Sequence, residues 1–292
     1  MTADAHPSPP SCFMTSPAGP TPDVTRDVDR APDRAPDRDA EPSWLRGRGG
    51  LLASQHLEQL IARGHVAAQV QPASLDLRLG PVGWRVQASF LPGAHATVQQ
   101  RLDDLRMHEL DLTRPCVLEK GCVYLVRLLE TLDLPAALGG KANPKSTTGR
   151  LDVFTRLIVD RAPEFDLVPA GYRGALYVEI VPRTFSVLVQ QGTRLNQLRL
   201  ATGGTGAAES NDALLDELHA REGLVFSGSD DAPARVAARI QGGLWIGVDL
   251  AGDATGAASG GAPNGAGIVG WRARTHAPLV DLSRVAQYDP HE

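Results

Sequence analysis

Short strand-like runs, cut by turn residues at close intervals, constrain this chain more than any other feature. They cover residues 74–79, 83–88, 117–118, 123–128, 153–159, 175–181, 185–189 and 194–200. Apolar and β-branched side chains dominate them, and Gly, Pro, Asn or Asp follows within a few positions. Such punctuation predicts a mainly β domain, a barrel or a sandwich. A few short helices accompany it. Residues 54–63 carry apolar side chains at 57, 60 and 61 and stop at Gly64, as a short amphipathic helix does. Residues around 214–219 read as another.

Composition marks the boundaries of that domain. Residues 1–44 are rich in Pro, Asp, Arg and Ser, with a near-repeat of Asp-Arg-Ala-Pro, and have too little to bury to fold. The main domain is predicted over 45–200. A linker with a short helix follows over 201–243, opening on a Gly/Ala/Thr-rich stretch, and 251–267 reads as a long Gly/Ala-rich loop. A net charge of -5 offers no broad basic surface, which argues against nucleic acid as a partner. The cysteines number 3, an odd set that fits a reducing cytoplasm better than a disulfide framework. No apolar run approaches the roughly 18 residues that would span a bilayer. The N-terminus also lacks the apolar stretch of a signal peptide. The expectation is a cytoplasmic protein with no membrane partner.

Three segments carry chemistry. Lys145-Ser146-Thr147-Thr148-Gly149-Arg150 packs two cations, three hydroxyls and a glycine into six residues, behind an extended Asn143-Pro144. Such a run is a polar surface turn or a loop for a polyanion with a sugar or base attached, since Arg binds phosphate bidentately and Lys acts as a point charge. It is predicted to sit at the edge of β-structure. Over 71–80, QPASLDLRLG alternates as a half-buried strand should, with Asp76 and Arg78 on one face and able to pair. Over 175–180, Glu179 shares a face with Ala175 and Tyr177, opposite Leu176, Val178 and Ile180. A strand Glu is most often a solvated face residue, and beside a polar pocket it is a proton acceptor. One further pattern is set aside. His56-Leu57-Glu58 with Pro115-Cys116 and Cys122 imitates a zinc deaminase, but five residues separate the cysteines where two are needed to close a tetrahedral site. No zinc or other protein-bound metal is expected.

Four motifs, in order, resemble the dCTP deaminase family of the dUTPase-like superfamily. They are QPASLDLRLG (71–80), KSTTGR (145–150), AGYRG leading to YVEI (170–180), and GTRLNQL (192–198). The match covers about 50–200, and its wording is closest to the long bacterial form with two barrels in one chain. The implied fold is a dUTPase-like β-barrel, a distorted jelly roll or β-clip, with an incomplete second copy. Residues 244–292 would begin that copy, because Val248-Asp249-Leu250 echoes Leu75-Asp76-Leu77.

The resemblance implies hydrolytic deamination of dCTP to dUTP and ammonia, within pyrimidine deoxynucleotide metabolism. Mg²⁺ would be bound through the substrate triphosphate. By position, Glu179 would activate water, Ser146 would bond the water or the tetrahedral centre, and Arg150 would orient both. Lys145, which stands where the family carries an arginine, would contact phosphate. Thr147 and Gly149 would shape the phosphate loop, Tyr172 would exclude a ribose, and Gln197 would contact substrate. Related barrels form homotrimers, which implies a homo-oligomer here. Two other readings remain: a dUTP pyrophosphatase or bifunctional deaminase–pyrophosphatase, and a catalytically weak nucleotide-binding or regulatory barrel.

Overall fold

The structure, a computed structural model, describes residues 42–46, 49–203, 212–227, 234–247 and 273–287. Most of the predicted tail and the Val248-Asp249-Leu250 echo lie outside the described residues. The chain runs β1 (Gly50–Leu51), α1 (Ser54–Ala62), β2 (Gln69–Gln71), β3 (Ser74–Val86), α2 (Val98–Leu105), β4 (Arg106–Asp111), β5 (Cys116–Leu118) and β6 (Val123–Asp133). It continues β7 (Leu138–Pro144), α3 (Ser146–Arg150), β8 (Val153–Val159), β9 (Leu167–Val168), β10 (Arg173–Pro182), β11 (Val187–Val189), β12 (Arg194–Thr202) and α4 (Asp212–Glu222). Two small hairpins follow, β13 (Phe226–Ser227) with β14 (Ala234–Arg235) and β15 (Arg239–Ile240) with β16 (Leu244–Trp245), before β17 (Val280–Asp281).

The main sheet is antiparallel in the order β8-β10-β6-β3-β12-β7-β9, with β1 on β12 and both β2 and β4 on β3. It curls into a nearly closed barrel, and Asp166 stitches the seam. The Leu157 amide donates to its carboxylate at 2.7 Å, its own amide donates to the Leu157 carbonyl at 2.9 Å, and its carbonyl accepts from Ala142 at 2.8 Å. Asp166 reaches all three from a left-handed conformation (φ 62), which Asp tolerates better than most residues.

Strand β3 is where the sheet bends. Its first half turns Leu75, Leu77 and Leu79 into the main core, and its second half sends Trp84 and Val86 to a separate apolar cluster on the outer face. A register shift in the β3–β6 pairing lies between Leu79 and Gly83, at Gly80-Pro81. A Cβ on Gly80 would stand 2.4 Å from the Arg127 carbonyl oxygen, so only glycine permits this approach. Prolines also belong at such irregularities, where no ladder hydrogen bond is lost.

Most predicted strands are present, several of them longer than the apolar run that signalled them. Strand β8 matches its predicted span, while 74–79 and the first four residues of 83–88 are parts of the single strand β3. Several elements escaped notice, among them helix α2 and the strands β4 and β7. Helix α2 is polar apart from Val98, Leu102 and Leu105, and its signal was the Thr97–Gln100 capping box, with both reciprocal bonds formed. Strand β7 begins Leu138-Gly139-Gly140, which reads as a turn. In the fold a Cβ on Gly140 would lie 2.8 Å from the Arg199 carbonyl oxygen, so the glycine serves strand packing. The KSTTGR run, predicted at a β edge, forms the helical turn α3 between β7 and β8.

Two described parts of the predicted second copy, 244–247 and 273–287, can be placed. Leu244 and Trp245 form one side of a two-stranded hairpin. Val280 and Asp281 run parallel to β11, and Val280 and Leu282 join the main core. That part of 244–292 therefore belongs to the packing of the first domain. Trp44 is likewise part of it, with its ring 4.8 Å from His56 and its indole N–H 2.7 Å from Gln59 Oε1. Among the described residues no helix is long and apolar enough to cross a membrane.

The bend at Gly80 yields a direct test. Gly80→Ala should cost about 1–3 kcal/mol of stability through overpacking, read as a lower urea midpoint. An unchanged midpoint would show that β3 and β6 can separate without loss.

Candidate active site

Apart from Tyr172, the predicted residues divide between two places on the barrel. The first is a polar row across four strands, in which Gln69 on β2 faces Asp76 on β3, Asp76 faces Gln197 on β12, and Gln197 faces Asn143 on β7. Facing residues in an antiparallel sheet share a side, so alternation places these groups together on the outside of the barrel. Asp76 is buried, and its Oδ2 accepts from Lys145 Nζ at 2.6 Å and from Gln71 Nε2 at 3.2 Å. Gln197 Oε1 accepts from Ser74 Oγ at 3.3 Å, and Asn143 Oδ1 from Arg199 Nη1 at 3.1 Å.

Lys145 and Gln197 are thus gathered around one carboxylate. The predicted Asp76–Arg78 pairing does not form. Arg78 serves the buried Glu130 instead, with its Nε donating to Oε1 and its amide to Oε2, both at 2.7 Å. Neighbours on one face of a strand stand about 7 Å apart, so a group arriving from another strand or loop reaches the carboxylate more easily.

Lys145 precedes α3, and its amide donates to the Leu195 carbonyl at 2.9 Å, tying the turn to β12. Within α3, Thr148 is buried, Thr147 is half-buried, and Ser146, Gly149 and Arg150 are exposed. Among the described residues no side-chain hydrogen bond or ion pair engages Ser146 or Arg150. The turn is therefore anchored at its start and in its middle, and it presents a hydroxyl, a guanidinium and an open glycine to solvent.

The second place surrounds Glu179. A rung crosses five strands there: Arg156 on β8, Glu179 on β10, Leu125 on β6, Trp84 on β3 and Glu109 on β4. Its face carries the outer apolar cluster of Trp84, Leu125, Ile158 and Tyr177, capped by Val98 and Leu102 of α2. Glu179 is 1 % exposed, so it is no solvated face residue. Its Oε1 accepts from Arg156 Nε at 3.0 Å and Nη2 at 2.6 Å. The cation beside it is Arg156 and not Arg150. Sequence reasoning missed Arg156, although strand alternation and an antiparallel β8–β10 pairing would have set it opposite Glu179.

Asp166 lies within electrostatic reach of this pair. Burial pushes its carboxyl above the usual carboxylate range, the Leu157 amide and the Arg156 charge oppose that, and the Glu179 charge adds to it. Along the same face, Trp84, Gln99, Glu109, Arg127, Leu128 and Tyr177 line a groove of about 470 Å³. The Tyr177 hydroxyl is raised by burial. Tyr172 sits elsewhere, in the barrel wall. Its hydroxyl donates to the Ala175 carbonyl at 2.7 Å and accepts from the Asp160 amide at 3.3 Å, and burial pushes it up to about 12.

Comparison with known proteins gives this geometry a context. Residues 48–204 match the family model for the 2'-deoxycytidine 5'-triphosphate deaminase (DCD) N-terminal domain. A "dCTP deaminase, dUMP-forming" of Acidothermus cellulolyticus is 26% identical over 157 residues, which are 51% of this chain and 78% of that one. A dCTP deaminase of Halorubrum lacusprofundi is 28% identical over 135 residues, 46% of this chain and 64% of that protein's length. The crystal structure of 2'-deoxycytidine 5'-triphosphate deaminase from Agrobacterium tumefaciens superposes with a TM-score of 0.70 at 41% identity, covering 83% of this chain and 68% of that one.

The Asp76–Lys145 pair can be weighed by mutation. Lys145→Met strands a buried carboxylate with Gln71 alone. Losing one member of a buried pair costs ~3–5 kcal/mol, and partial exposure of Lys145 reduces this to about 2–3 kcal/mol. Arg150→Met on the exposed side of α3 should change stability by less than about 0.5 kcal/mol. Equal effects in urea unfolding would deny the pair its structural part.

Proposed function

The chain belongs to the 2'-deoxycytidine 5'-triphosphate deaminase family through residues 48–204, and from that membership we propose that it hydrolyses dCTP to dUTP and ammonia. The observation that carries this reading is a buried strand carboxylate, Glu179, gripped by Arg156 on the sheet face that also carries Trp84 and Tyr177. Deamination requires a base to take a proton from water, a donor for the charge that develops at the ring, and cations for the triphosphate.

In this scheme Glu179 removes a proton from water as its oxygen adds to C4 of the cytosine ring. The carboxyl passes that proton to the ring nitrogen, then takes the hydroxyl proton of the tetrahedral centre and hands it to the amine, so that the C4–N bond breaks and ammonia leaves. Ser146 bonds the water or the tetrahedral centre. Arg150 orients that centre, and with Thr147 and Gly149 forms a loop for the triphosphate, which carries its own Mg²⁺. Lys145 shares its charge between Asp76 and phosphate, and Gln197 contacts substrate from the same polar row, while Tyr172, which the resemblance would set against a ribose, lies apart from both groups within one chain.

The exposed Ser146 and Arg150, unpaired with Glu179 in one chain, support a site completed between copies in a homo-oligomer, a trimer by family analogy. Light scattering at working concentration would test that: a strictly monomeric but fully active enzyme contradicts it.

A bifunctional reading also has support, because the Acidothermus relative is named as dUMP-forming. Incubation with dCTP and Mg²⁺, followed by separation of dCTP, dUTP and dUMP, separates the two. Accumulating dUTP supports the deaminase alone, and direct dUMP supports the bifunctional enzyme. Intact dCTP that still binds would leave only a nucleotide-binding barrel. Glu179→Gln should lower kcat by roughly 10²–10⁴ and spare dCTP binding, the range expected for a lost general base.

A further inference from the structure

If Glu179 activates water, one carboxylate oxygen must face that water and stay there. Both bonds from Arg156 fall on Oε1, at 3.0 and 2.6 Å. Among the described residues no hydrogen bond reaches Oε2, and that atom is not one of the fully enclosed unpartnered atoms, as Asp76 Oδ1 is. Glu130 shows what a purely structural carboxylate looks like in this barrel: Arg78 takes Oε1 through Nε and Oε2 through its backbone amide. Glu179 is held by one oxygen and unpartnered at the other.

Arg156 is itself fixed. Its Nη2 also donates to Ser89 Oγ at 2.6 Å, and its guanidinium lies 3.6 Å from the Phe165 ring centroid and 4.9 Å from that of Phe154. A planar cation stacked on an aromatic face, with two nitrogens on one oxygen, has little freedom to turn. The remaining neighbours give Glu179 no second anchor. Strand β6 sets Leu125 opposite it, β3 adds Trp84, and α2 covers the patch with Val98 and Leu102.

We propose that Arg156 is a positioning residue for the reaction, a clamp that grips Glu179 by Oε1 and leaves Oε2 to face the attacking water. The proposal rests on the deaminase reading and names the residue that sets the geometry of its base. Misplacing a reacting group by about 1 Å can cost roughly 10²-fold in rate. Lysine would keep the charge but lose the fork, so charge and geometry can be separated.

The test measures kcat and KM for dCTP in Arg156→Ala, Arg156→Lys, Ser89→Ala and Glu179→Gln, each checked for folding by circular dichroism. Arg156→Ala should lose roughly 10²-fold in kcat with KM within about threefold, and added guanidinium ion should restore part of the loss. Arg156→Lys should remain at least about tenfold impaired, and Ser89→Ala should fall between it and wild type. A wild-type kcat in Arg156→Lys overturns the clamp, as does a loss confined to KM. If Arg156→Ala does not fold, Arg156→Lys and Ser89→Ala decide by the same criteria. A fully active Glu179→Gln sinks the base assignment itself. An inactive Glu179→Gln beside a normal Arg156→Lys sinks only the clamp.

Discussion

Three buried carboxylates, Asp76, Glu130 and Glu179, are each held by one cation that keeps some contact with solvent. Removing a carboxylate from water costs several kcal/mol unless a partner and further hydrogen bonds replace the lost hydration. The barrel supplies these from elements distant in sequence: the turn after β7 for Asp76, β3 for Glu130, and β8 for Glu179. Each pairing requires its strands to be in register. A slip of one residue would turn the carboxylate inward and leave it without a counterion.

The three pairs differ in how completely the carboxylate is satisfied. Glu130 has both oxygens occupied and ties β6 to β3. Asp76 gathers Lys145 and Gln71 at one oxygen, which fixes the start of α3 against β2 and β3. Glu179 has one oxygen gripped by Arg156, in an outer apolar cluster that α2 shields. The bend of β3 at Gly80-Pro81 makes the difference possible. It lets one strand line the main core with its first half and support the Glu179 face with its second.

Much of this was legible in the residues. Alternation over 71–80 and 175–180 marked β3 and β10, and it correctly put Glu179 on the face opposite Leu176, Val178 and Ile180. What stayed hidden had a physical cause in each case. Gly139-Gly140 looked like a turn because close approach to β12 selects the same residue that turns do. Helix α2 buries only its Val98 and Leu102 side chains fully, so its periodicity was faint beside its capping box. Val280 and Leu282 read as part of another domain because nothing local signals a strand that completes a sheet some ninety residues away.

Sequence by itself determined the strands that carry alternating runs and the order of the four motifs, because side-chain alternation and turn chemistry act over a few residues. Only the tertiary structure decided which cation serves which carboxylate. Asp76 lies beside Arg78 in sequence, yet it pairs with Lys145, a separation of 69 residues. Glu179 pairs with Arg156 and leaves Arg150 exposed. Ion pairing depends on distance in space and on shared burial, and both are set only when the strands meet in register.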